Sequence, residues 1–201
     1  MTVGILGGTF DPPHNGHVAL ARRAFDALGL ERLVVVPVGE APHKPVGTDA
    51  ETRFRLAAAA FADLPDTELS RVELERGGPS YTVDTAVWAE AEYGDDVVLL
   101  LGADEFADFP TWREPDRILD HVRLAVATRP GIPHDRLEDV RAGLEHPDRV
   151  AFFELEPIPI SSRDLRARVA RGESIDGLVP APVAGVIEEV GLYRDGGTLK
   201  A

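Results

Sequence analysis

Two histidines three residues apart, His14 and His17, stand in the stretch GGTFDPPHNGH, just after the apolar run VGIL. On a helix that spacing puts both imidazoles on one side, where both can face one ligand. Gly7 and Gly8 precede them and allow a tight exit from a strand with close backbone approach to a ligand. Zinc-ligand spacing is absent, because Asp11 is the sole acid nearby and the chain has no cysteine. The glycines do not make a G-x-G-x-x-G fingerprint, and no Gly-Lys-Ser/Thr closes a P-loop. Alone, either histidine fits a packed core position or a helix cap as well as a ligand contact. Together, in a loop stiffened by prolines ahead of a helix with free N–H groups, they read as a grip on phosphate.

The stretch ISSRDLR, Ile160 to Arg166, repeats the theme near the other end. Ser161 or Ser162 suits a helix cap, which by itself explains the pair. The same residues also offer hydroxyls and helix-end N–H groups to an anion. Arg166, four residues beyond Ser162, carries a planar fork suited to phosphate oxygens. Lys44, in VGEAPHKPVG, is one of two lysines among 21 basic residues, the other being Lys200 in the terminal tail. A need for a compact, flexible ammonium explains Lys44, and so does an ordinary surface position. No covalent nucleophile is legible, since cysteine and a G-x-S-x-G elbow are both missing. Charge must then be managed by position, which suits phosphoryl or nucleotidyl transfer between bound anions.

Such groups need a frame. Thr2 to Gly7 reads as a buried strand, and His17 to Gly29 as a helix with Val18, Leu20, Ala21, Ala24, Phe25 and Leu28 at helical spacing. Arg32 to Val38 predicts a second strand. Thr48 or Asp49 would cap a helix over Ala50 to Leu64, and Leu69 to Glu75 predicts a third strand. Tyr81 to Gly94 reads as a helix. Val97 to Leu101 is uniformly apolar, as a strand covered on both faces must be. Short helical pieces broken by prolines follow. His121 to Gly131 and Asp148 to Leu155 predict strands, with a short helix between them. A loop and helix over Pro157 to Gly172 precede a last helix, Val179 to Tyr193. This alternation predicts the α/β class, an open, mostly parallel sheet with helices on both faces. Ligands of such a sheet sit beyond the carboxyl ends of the strands, near the switch between its halves. The loops after the predicted strands carry most of the unusual residues.

A length of 201 residues with 44% hydrophobic content fits one globular domain. The formal net charge of −14 argues against bulk nucleic acid as a partner and leaves room for a small anion in a local pocket. Without cysteine there are no disulfides and no thiol catalysis. The start MTVGILGG lacks the basic region and apolar length of a secretory signal, and apolar stretches fall well short of a membrane span. A cytoplasmic protein is expected. A homo-oligomer is left open.

The motifs together resemble a known family. GGTFDPPHNGH, the PHK at Pro42 to Lys44, SYTVDT at Ser80 to Thr85, GAD at Gly102 to Asp104 followed by Trp112, RPG at Arg129 to Gly131 and ISSRDLR occur in one order. The chain resembles the bacterial nicotinate-nucleotide adenylyltransferases, within the HxGH nucleotidyltransferases, from residue 3 to about residue 193. The resemblance implies a Rossmann-like nucleotidyltransferase fold over a single domain, 1–201, with a helical C-terminal part at about 161–193. It implies joining of ATP to nicotinate mononucleotide, with deamido-NAD and pyrophosphate as products, in NAD biosynthesis. Magnesium would accompany the ATP. His14 and His17 match the pair on the ATP phosphates, His17 nearest the transition-state charge, with Lys44 helping to hold the reacting phosphates. Gly8, Thr9 and Phe10 match the nucleotide-binding loop. Ile160, Ser161, Ser162 and Arg166 match the late phosphate motif. Gly102 and Asp104 match the adenosine pocket, Asp104 near the ribose. Tyr81, Thr82 and Trp112 match the acceptor-base region, where the indole would stack on the pyridine ring, and Thr85 and Arg129 are assigned to the acceptor side.

Residue types support part of this directly. Tyr81 and Thr82 open a predicted helix, whose free N–H groups favour an acceptor carboxylate over a neutral amide. Trp112 also fits a loop anchor packed on the core, and Asp84 and Thr85 also fit solvent-facing or capping positions. Arg163 replaces the threonine usual in the late motif. The competing functions are an adenylyltransferase for nicotinamide mononucleotide or for both bases, a pantetheine-phosphate adenylyltransferase, and a nucleotide-binding regulator without turnover.

Overall fold

The computed structural model describes residues 1–42, 46–128, 134–156 and 158–194. The apolar runs become strands of one sheet: β1 (Val3–Gly8), β2 (Arg32–Pro37), β3 (Thr67–Leu69), β4 (Val97–Gly102), β5 (Arg123–Thr128) and β6 (Val150–Glu154). Their order is β3-β2-β1-β4-β5-β6, and every neighbouring pair is parallel. The chain builds outward from β1 on one side, then returns to start β4 against the other edge of β1. The crevice above the ends of β1 and β4 is therefore the switch point of the sheet.

Alternation along the strands divides the core in two. Leu6, Leu33, Val35, Val98 and Leu100 face one way and Ile5, Val34, Val36, Leu99 and Leu101 the other, with each set fully buried. The first face is covered by α1 (Asn15–Leu28), α2 (Ala50–Phe61), α8 (Ser162–Ala170) and α9 (Ala181–Val190), through residues such as Ala21, Leu56, Leu165 and Val183. The second is covered by α4 (Thr82–Tyr93), α5 (Ala103–Asp108), α6 (Pro115–His121) and α7 (His134–Ala142), through Ala86, Phe106, Ile118 and Leu137. A sheet buried on both faces requires near-continuous apolar strands, which is why β2 and β4 read as unbroken hydrophobic runs.

Most expected elements form within a few residues of their predicted bounds. Asp49 caps α2, accepting from the Thr52 N–H at 2.9 Å, and Ser161 caps α8, accepting from the Asp164 N–H at 3.1 Å. One expectation fails. Leu69 to Glu75 is not a strand: β3 stops at Leu69, and α3 (Val72–Arg76) follows. The Ser70 hydroxyl accepts from the Val72 N–H at 3.2 Å and turns the chain, and Glu73 and Glu75 suit the first turn of a helix. The predicted strand over His121 to Gly131 starts later, at Arg123 of β5, because His121 closes α6, and its last residues, 129–131, lie outside the described residues.

Candidate active site

β1 delivers the first loop to the switch point. A Cβ on Gly7 would meet nothing within 4 Å, so the chain's own packing gives no reason for a glycine there. The space is open to an incoming group. Gly8 differs: a Cβ would sit 2.8 Å from the Phe10 ring, which folds back over it. Phe10 has φ 50°, the left-handed region that side chains avoid.

His14 is the N-cap of α1, and His17 is its third residue. The imidazoles lie face to face, with centroids 3.8 Å apart and an interplanar angle of 34°. His17 Nδ1 accepts a hydrogen bond from the His14 backbone N–H at 3.1 Å. Burial, and then the neighbouring His14, depress the His17 pKa to about 3. His17 is thus neutral near pH 7, and because Nδ1 is an acceptor its proton sits on Nε2. The ring carries a fixed donor.

The late motif meets this loop. Arg166 Nη1 donates to the Asp11 carbonyl at 2.6 Å and lies 4.0 Å from the Asp11 carboxylate. Ser162 Oγ donates to the Pro12 carbonyl at 2.8 Å. Ser161 is occupied as the cap of α8, and Ile160 packs on the core just before it. Asp11 is 6% exposed and also accepts from the Tyr193 hydroxyl at 2.6 Å. The N-termini of α1 and α8 are therefore joined through Asp11 and Pro12, 150 residues or more apart in sequence. Arg163 is exposed.

Gly102 ends β4 beside β1 and caps α5. Its N–H donates to Glu105 Oε2 at 2.7 Å, and a Cβ there would collide with that carboxylate. Asp104 is exposed in the first turn of α5. On the other side of β1, Ser80 Oγ accepts from the N–H groups of Gly39 and Glu40 at 3.2 and 3.3 Å, fixing the loop after β2 to the start of α4. Tyr81 is the N-cap of α4 and Thr82 its first residue. Trp112 packs on Phe109 with centroids 5.4 Å apart, and the next residue, Arg113, lays its guanidinium 4.4 Å above the Tyr81 ring. The Trp112 segment and the start of α4 are thus neighbours. Thr85 neither faces solvent nor caps the turn. It is 4% exposed and donates to Glu73 Oε1 at 2.6 Å. Lys44 and Arg129 lie outside the described residues.

Four residues of this region were not anticipated: Arg53, Glu73, Glu105 and Tyr193. Arg53 left a trace, since it shares helical spacing with Leu56, Ala57 and Ala60 and so occupies a core-facing position. Glu73 and Tyr193 left none, because neither sits at a core-facing spacing and folding alone brings each to its partner, Thr85 12 positions away and Asp11 182 positions away.

A family model described as cytidylyltransferase-like matches residues 5–168. A protein of Bordetella petrii named "Probable nicotinate-nucleotide adenylyltransferase" is 43% identical over 196 residues, covering 96% of this chain and 98% of the relative. A protein of the same name from Rubrobacter xylanophilus is 40% identical over 198 residues, covering 96% and 92%. The chain belongs to the nicotinate-nucleotide adenylyltransferases of the cytidylyltransferase-like family. Among solved structures, the Plasmodium falciparum nicotinic acid mononucleotide adenylyltransferase complexed with NaAD superposes with a TM-score of 0.76 at 16% identity, over 96% of this chain and 97% of that one. That likeness carries the Rossmann-like fold of the family. Among the described residues, no helix is long and apolar enough to cross a membrane.

Proposed function

We propose that this adenylyltransferase joins ATP to nicotinate mononucleotide, releasing pyrophosphate and forming deamido-NAD in NAD biosynthesis. The observation that carries the reading is the junction of the two phosphate motifs, Arg166 and Ser162 on the backbone of Asp11 and Pro12 beside His14 and His17. An oxygen of the acceptor's phosphate attacks the α-phosphorus of ATP, the bond to the β-phosphate oxygen breaks, and pyrophosphate takes the electron pair. Such an in-line displacement asks for alignment and for donors aimed at developing charge.

Several groups supply these. His17 Nε2–H and His14 face the triphosphate at the start of α1, over the backbone of Gly8, Thr9 and Phe10. Bound phosphate would draw the His17 pKa upward, strengthening the donor as charge grows. Ile160, Ser161, Ser162 and Arg166 present the opening of α8 to the same phosphates, and Lys44 adds an ammonium. Gly102 and Asp104 hold the adenosine, with the Asp104 carboxylate on the ribose hydroxyls. Tyr81 and Thr82 turn the N–H groups of α4 toward the acceptor carboxylate, and Trp112 stacks on the pyridine ring. Thr85 acts from beneath through Glu73, and Arg129 belongs to the acceptor side. Among the described residues no group of three or more His, Asp or Glu side chains is placed to cage a metal ion. Mg²⁺ would enter on the ATP phosphate oxygens, the ligands that this hard ion prefers. When bound, Mg²⁺ neutralises charge on the phosphate oxygens.

Pyrophosphate release with ATP, Mg²⁺ and each mononucleotide tests the reading. Nicotinate mononucleotide should outpace the nicotinamide form, since the field at the opening of α4 rewards a carboxylate. Faster turnover of the amide, or of neither, overturns it. In the same assay His17→Ala should lower kcat about 100-fold, with a smaller effect on ATP affinity.

A further inference from the structure

One buried charge has no part in that scheme. Arg53 is 2% exposed on the core side of α2. Its donors all go to backbone carbonyls: Nε to Thr48 at 3.1 Å, Nη1 to Thr9 at 3.1 Å and to Val38, and Nη2 to Gly39 at 2.8 Å. Thr9 lies in the loop after β1, and Val38 and Gly39 lie in the loop after β2. A single guanidinium therefore ties together two loops at the phosphate-binding edge. Burial pulls its pKa down, and the nearby Asp11 carboxylate pushes it back up. An apolar residue would fill this space without the desolvation cost of a charge.

A second observation lies one residue beyond Thr9. Phe10 holds φ 50°, a conformation that is strained for a residue with a side chain and survives where its surroundings leave no alternative. The Phe10 ring is 2% exposed. It meets His17 edge to face, at 5.3 Å between centroids and 70° between planes, and meets Phe61 at 5.8 Å. A continuous line of contacts thus runs from Arg53 through the Thr9 carbonyl and the Phe10 turn to the His17 imidazole.

We propose that Arg53 is a positioning residue for adenylyl transfer: it fixes the Thr9 carbonyl, holds Phe10 in its left-handed turn, and so makes the Phe10 ring set the plane in which His17 presents its donor. The inference rests on the role given to His17 above. A ring turned by a small angle keeps substrate affinity and loses aim, and misplacement of that kind costs rate before binding.

Arg53→Lys and Arg53→Met test this, with Phe10→Leu as a second route that keeps the buried bulk and removes the ring edge. Two measurements are made on each: steady-state kinetics, and nitrogen-resolved NMR of the histidine rings without substrate, with His17 assigned by its loss in His17→Asn. Arg53→Met is expected to lower kcat about 100-fold while the KM for nicotinate mononucleotide stays within about twofold. Arg53→Lys, which keeps some of the donors, should recover roughly a tenth of wild-type kcat. In Arg53→Met and Phe10→Leu the His17 signals should change from one Nε2–H tautomer to a mixture. A folded Arg53→Met with kcat within about threefold of wild type and an unchanged tautomer overturns the proposal. If the Arg53 variants do not fold, an unchanged tautomer in Phe10→Leu overturns it. Wild-type protein inert toward nicotinate mononucleotide would instead sink the function proposed above, because the ring spectra need no substrate.

Discussion

His17 shows how much of a catalytic residue is decided by its surroundings. An exposed histidine titrates near 6.5, whereas here burial and His14 hold it at about 3. Between those values the unfolded chain binds a proton that the folded chain refuses. Stability therefore falls as pH drops through that window and is unaffected by this group above it. Carboxylates titrate in the same range, so the comparison must be with a variant. Calorimetric Tm should fall more steeply from about pH 6.5 to about pH 4 in wild type than in His17→Gln. Parallel curves would show that His17 protonates freely in the fold. The GGTFDPPHNGH motif disclosed the pair and its place before a helix. It could not disclose the tautomer, which depends on the His14 N–H reaching His17 Nδ1 at 3.1 Å.

At the scale of elements, the opening of α4 is held from below by α3. Thr85 donates to the buried Glu73, and Ser80 accepts from the loop after β2. Desolvation raises the Glu73 pKa above its ordinary 4.5, against the bonding from Thr85. A carboxyl with a raised folded pKa favours the fold at low pH and loses that favour as pH rises through the folded value. Glu73→Gln keeps an acceptor for Thr85 and removes the charge. Its Tm relative to wild type should improve as pH rises from about 5 to about 8, read by thermal scans at both values. A constant difference would mean that Glu73 is not penalised by burial. This element is also the one whose sequence pattern and structure differ. LSRVELE alternates enough to suggest a strand, and its conversion to α3 depends on the Ser70 turn and on burial of the Glu73 side chain. The longer runs in β1, β2 and β4 and the stripe of α1 were legible because burial on two faces, or on one face of a helix, leaves a periodic signature.

For the molecule as a whole, the decisive contact is between its ends. Tyr193, just beyond α9, reaches Asp11 in the first loop at 2.6 Å, and Asp11 also faces Arg166. Burial and the Asp11 carboxylate push the tyrosine pKa upward, so the phenol stays a donor. Tyr193→Phe removes that donor from a buried carboxylate. Urea unfolding should show a loss of about 2 kcal/mol, with a higher KM for ATP because the α1–α8 junction loosens. Unchanged stability together with unchanged KM would separate the C-terminal segment from the phosphate edge.

The sequence by itself determined the residue types of the site, their order, and the frame of alternating strands and helices, since these follow from local spacing and periodicity. It also placed the unusual residues in the loops after strands, where a parallel sheet gathers them. The tertiary structure alone decided which groups are neutral, which hydroxyls are already engaged, and that Arg53 and Tyr193 serve the first loop. Protonation depends on burial, and the bonds that Arg53 and Tyr193 make to the first loop span 44 and 182 positions. Neither leaves a mark in the residues next to them.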